Sequence, residues 1–100
     1  MSALDDILAR LRGAMPSLRR EYGVRTLAVF GSVARGEDAP ASDVDVLVEF
    51  EPDALVTLLT LAGLRNELQE RLGREVDVVL RRALRPAFRD EVDREAIRVA

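Results

Sequence analysis

The sequence predicts an α/β domain: a small mixed β-sheet flanked by helices. Three observations carry that expectation. Three short apolar runs of strand length, Thr26–Phe30, Asp43–Phe50 and Glu75–Leu80, are rich in Val, Leu and Phe. A long segment of helical character, Ala54–Leu72, lies between the last two, so strands and helices alternate along the chain. The chain of 100 residues has room for one modest core, so residues 1–100 are expected to form one domain without a separate acceptor-binding domain.

The elements follow in order. Leu4, Ile7, Leu8 and Leu11 fall at helical spacing, with Ser2 placed to cap them. Gly13 and Pro16 predict a stop near Arg12 and a second short helix from Pro16 to Gly23, with Leu18 and Tyr22 on its apolar face. Gly31–Gly36 reads as a turn holding about one helical turn, and Glu37–Ser42, with Pro40, as a loop. Gly73 is placed to end the long helix. Leu84–Ala96 is helical, with Pro86 near its start, and Ile97–Val99 is either a frayed end or a short edge strand.

Composition removes several classes of chemistry. There is no Cys and no His, so thiolate or imidazole metal sites, disulfides, Cys nucleophiles and His bases are all excluded. A metal here would need oxygen ligands, which favours Mg²⁺ or Mn²⁺ over Zn²⁺. The net charge of −3 argues against direct nucleic-acid binding. No apolar run has the length of a membrane span, and the N-terminus lacks a secretory pattern, so a cytoplasmic protein without a membrane partner is expected. All 15 basic residues are Arg, which fits either genome base composition or recognition of phosphate or carboxylate by guanidinium groups.

The second strand carries an anomaly. Val44, Val46, Val48 and Phe50 share one face, and Asp43, Asp45, Leu47 and Glu49 the other. Asp43 and Asp45 then lie about 7 Å apart along the strand. Two carboxylates left this close repel each other, and a divalent cation removes the conflict. Asp77, inside the apolar run of the third strand, is a third carboxylate able to converge on them. Taken singly, Asp43 is equally a turn residue, Asp77 has an ion pair with an Arg as its second reading, and Glu49 reads as solvated. Gly31 and Ser32 follow the first strand directly, where a close backbone approach and N–H groups suit a phosphate. Ser32 is also readable as a plain N-cap, and Arg35 as either a phosphate contact or a solvated residue. Arg81, Arg82, Arg85 and Arg89 read first as a solvated helix face balanced by Asp90, Glu91 and Asp93, and second as a surface for an acidic partner or phosphates.

Gly-Ser, ten intervening residues, then Asp-x-Asp inside a strand, here GSVARGEDAPASDVD from Gly31 to Asp45, is far more specific than its parts. This stretch, and the order of elements around it, resembles the minimal nucleotidyltransferase (MNT) family of the DNA polymerase β-type nucleotidyltransferases, over nearly the whole chain. The resemblance implies the polymerase β-like palm fold. It implies that Gly31 and Ser32 hold the triphosphate of ATP, beside which Arg35 is read from its position as a further phosphate contact. It implies that Asp43, Asp45 and Asp77 are catalytic and bind two Mg²⁺ ions. It also implies a HEPN-domain toxin as partner, with AMP transferred to a tyrosine of that toxin, so that the chain acts as the antitoxin of a toxin–antitoxin pair. The alternatives are an idle antitoxin that neutralises by binding alone, and a transferase for a small-molecule or RNA acceptor.

Overall fold

The computed structural model describes residues 3–37 and 43–99, so the Ser2 cap and residues 38–42 of the expected loop lie outside it. Helix α1, Ala3–Tyr22, is followed by strand β1, Val24–Phe30, and the short helix α2, Gly31–Arg35. Strand β2, Val44–Phe50, leads through α3, Leu58–Leu72, to β3, Val76–Leu80. A 3₁₀ turn at Arg81–Ala83 precedes α4, Pro86–Glu95, and β4, Ile97–Arg98. The sheet order is β3-β2-β1-β4. β2 and β3 run parallel, joined by α3, whereas β1 is antiparallel to both β2 and β4. The sheet is therefore mixed, as expected, and Ile97–Arg98 is the edge strand rather than a frayed end.

One expectation fails in α1, which is a single helix with Pro16 inside it rather than two helices. Ile7, Leu8, Leu11, Ala14, Met15 and Leu18 form one buried stripe across the expected break. Proline removes one helical hydrogen bond, but Arg12 and Pro16 are both exposed, so water reaches the carbonyl that loses its partner. Burying large side chains on the stripe, at roughly 1.5–3 kcal/mol each, outweighs that loss. α3 also starts later than Ala54. Thr57 caps it by accepting from the Thr60 amide at 3.2 Å, while Thr60 Oγ1 accepts from the Thr57 amide at 3.1 Å. Gly73 ends the helix in the left-handed region, as expected.

The core lies between the sheet and one helical layer. Val44, Val46 and Val48 of β2 and Val76 of β3 pack with Leu11 and Leu18 of α1 and Leu64 and Leu68 of α3. Val24, Leu27 and Val29 supply the β1 share. A register irregularity between Val24 and Thr26 lets both Val24 and Leu27 turn inward despite their odd spacing. Tyr22 Oη donates to the Gly63 carbonyl at 3.3 Å and ties α1 to α3. The opposite sheet face is only partly covered, and it carries the acidic residues.

Candidate active site

Strand register assembles the acidic row. Phe30, the last residue of β1, pairs with Asp45, and Asp45 pairs with Asp77. Directly paired residues project to the same side, on strands about 4.7–4.9 Å apart. Asp45 and Asp77 therefore stand side by side on the face away from the core. Asp43 is exposed and immediately precedes β2, one pleat repeat from Asp45. The chain leaving Phe30 turns directly into Gly31 and Ser32, which puts the Gly-Ser corner at the same end of the sheet.

The corner and the carboxylate touch. Gly31 has φ +75°, and a Cβ there would overlap Asp45 Oδ2 and lie 3.1 Å from its Cγ. Glycine is needed twice over, for the backbone conformation and for the space. Ser32 is the second residue of α2, and Phe30 occupies the cap position, so the reading of Ser32 as a plain N-cap does not hold. Val33 anchors α2 in the core. Arg35 is not merely solvated: its Nε donates to Glu37 at 2.9 Å and its NH1 to Glu95 at 3.1 Å.

The electrostatics match the geometry. Burial pushes the Asp45 carboxyl above the ordinary Asp range, Asp77 and then Asp43 push it further, and Arg35 offsets only part of this. Among the described residues, no group of three or more acidic side chains is arranged so that it could hold a metal ion. The backbone brings Asp43, Asp45 and Asp77 to nearby positions, and Arg35 compensates only part of the repulsion felt at Asp45. An all-oxygen, net-negative donor set of this kind fits a hard divalent cation.

A cavity of about 270 Å³ lies elsewhere, lined by Thr26, Ala28, Leu47, Glu49, Arg81 and Asp93 among others, and none of Asp43, Asp45, Asp77, Gly31 and Ser32 lines it. Two members of the basic cluster have structural duties. Arg81 grips Asp93 through Nε at 3.1 Å and NH2 at 2.6 Å, and Arg89 donates to the Leu84 carbonyl at 2.9 Å. Sequence reasoning missed Glu95, whose Oε1 accepts the Gly31 N–H at 3.0 Å. A signal was present: Glu95 falls in the last turn of α4, where the helix dipole disfavours negative charge.

Comparison with known proteins gives the family and the fold. The profile of the nucleotidyltransferase domain family matches residues 10–99. Over 99 residues the chain is 38% identical to the protein adenylyltransferase MntA of Thermococcus cleftensis, covering 99% of this chain and 98% of that one. A solved minimal nucleotidyltransferase superposes with a TM-score of 0.78 at 46% identity, covering 97% of this chain and 95% of its own. The structure of a tri-AMPylated Shewanella oneidensis HEPN toxin in complex with its MNT antitoxin shares the fold, with a TM-score of 0.64 at 17% identity over 93% of this chain and 71% of that one.

Proposed function

This chain belongs to the nucleotidyltransferase domain family, and we propose that it is a Mg²⁺-dependent protein adenylyltransferase, moving AMP from ATP to a tyrosine of a HEPN-type toxin and so serving as its antitoxin. One observation carries the reading: Asp45 pairs in register with Asp77 while its carboxylate abuts the backbone of Gly31. The carboxylates and the Gly31-Ser32 corner lie at one end of the sheet, which supports that reading.

Asp43, Asp45 and Asp77 hold Mg²⁺, which when bound supplies neutralisation of the triphosphate and activation of the acceptor hydroxyl. Gly31 N–H, Ser32 and Arg35 hold the β and γ phosphates, so that pyrophosphate is aligned to leave. The tyrosine oxygen forms a bond to the α phosphorus as the bond from that phosphorus to the bridging oxygen breaks, and the electron pair leaves with pyrophosphate. Asp77 accepts the phenolic proton. Alignment and charge stabilisation supply most of the acceleration, which is consistent with a site that lacks histidine.

A protein acceptor is favoured over a small molecule by the surface. Leu55, Leu58 and Leu59 are each 84% exposed around the start of α3, an apolar patch of the kind that partner proteins cover. The test is to incubate the chain with Mg²⁺, labelled ATP and its HEPN-type partner. Label is expected on a partner tyrosine, absent when that tyrosine is replaced by Phe. Asp43→Asn with Asp45→Asn should abolish labelling while the complex still co-purifies. A partner silenced without acquiring label would leave binding alone as the function.

A further inference from the structure

Glu95 ends α4 and reaches across to α2. Its Oε1 accepts from Gly31 N–H at 3.0 Å and from Arg35 NH1 at 3.3 Å, and its Oε2 accepts from Arg35 NH1 at 3.1 Å. The side chain is 29% exposed, so it is held against the corner rather than extended into water. These contacts engage two of the donors assigned above to the triphosphate. A carboxylate oxygen and a phosphate oxygen are both anionic acceptors, and one N–H cannot serve both at full strength.

We propose that Glu95 is an internal carboxylate lock: it occupies the phosphate donors Gly31 N–H and Arg35 in the nucleotide-free protein, and the triphosphate must expel it to bind. The proposal rests on the reading of Gly31 and Arg35 as phosphate contacts. Its position supports a lock better than a simple tie. A tie between α4 and α2 needs no charge beside Asp45, yet Glu95 adds to the negative potential there. It also sits where the dipole of α4 opposes a negative charge, so the charge is unfavourable to its own helix and to its neighbour. A binding-competent state reached only when Glu95 swings out lowers nucleotide affinity by the fraction of molecules in that state. Expulsion also frees the end of α4 immediately before β4, which couples nucleotide loading to the edge strand beside β1.

The test is calorimetric titration of the full chain with inorganic tripolyphosphate and with Mg²⁺-ATP, comparing wild type, Glu95→Gln and Arg35→Ala. Glu95→Gln keeps the side-chain shape, removes the charge and weakens the hold on both donors; it is expected to tighten tripolyphosphate binding about 3- to 10-fold. Arg35→Ala is expected to weaken it. If Arg35→Ala binds as wild type does, the phosphate corner itself is misassigned. If Arg35→Ala weakens binding while Glu95→Gln leaves it unchanged or weaker, the corner stands and the lock does not. A measurement on the wild type covers a variant that fails to fold: the carboxyl ¹³C resonance of Glu95 should shift with the same midpoint as the Gly31 amide when tripolyphosphate is added. A Glu95 signal that stays fixed while Gly31 moves overturns the proposal.

Discussion

The two faces of β2 differ by one residue of spacing and by everything else. Val44 and Val46 are 0% exposed and Val48 is 1% exposed, sealed under α1 and α3. Between them, Asp45 faces the other way, half-buried, next to Asp77 and against Gly31. One strand therefore performs two jobs that would conflict if mixed. Its valines supply stability that tolerates an unfavourable charge on the reverse side, and that charge is kept where packing does not need to be good. The proposed site sits on the face where its carboxylates keep access to solvent.

Substitutions on either side put this division to the test, and the largest effect belongs to the acidic face. Asp45→Asn should lower AMP transfer at least about 100-fold, since several kcal/mol of charge stabilisation are at stake. The variant should melt no lower than wild type in metal-free buffer, because like-charge repulsion has been removed; a marked fall in melting temperature would erase the distinction between the faces. Next in size is Leu68→Ala, behind the valines. It should cost about 2–5 kcal/mol of stability and leave nucleotide affinity of the folded molecules unchanged, which denaturant melts and titration at low temperature would separate. Gly31→Ala should sharpen the contrast by striking both properties. A left-handed alanine costs roughly 1–2 kcal/mol, and its Cβ displaces Asp45, so melting temperature and transfer rate should fall together.

The smallest effect concerns Arg81 and Asp93 at the rim. The Arg81 hydrogen bonds hold the Asp93 carboxyl below its ordinary range. A depressed carboxyl contributes stability above its unfolded pKa, about 3.9, and loses it as pH falls through the lower folded value. Asp93→Asn should therefore melt slightly below wild type at pH 7, with the gap closing in acid below that unfolded value. A gap that widened in acid would contradict the pairing.

Much of this was legible in the residues. The alternation of β2 exposed its two faces, because a strand has period two and valine against aspartate is an unambiguous contrast. The spacing from Gly31 to Asp45 pointed to the corner. Three features were obscured. Gly13 and Pro16 read as a helix break because local propensity is visible in sequence, whereas the burial that overrides it depends on α3 and the sheet arriving from elsewhere. The start of α3 was placed too early because Thr57 and Thr60 cap each other through hydroxyls, without the acidic or amide residue that usually marks such a box. Glu95 escaped for a third reason: its partners are 60 and 64 residues away in the chain, and only the packing of α4 beside α2 makes them neighbours.

The parallel pairing of β2 with β3 has an evolutionary corollary. Sliding β3 by a single position would turn Asp77 inward among the leucines and valines and expose Val76 and Val78 in its stead. Insertions and deletions in the crossover must therefore be absorbed in the turns at either end of α3, Glu51–Thr57 or Gly73–Glu75, before they reach the strand. Length variation among descendants of this chain should collect in those two short stretches and spare the segment Val76–Leu80.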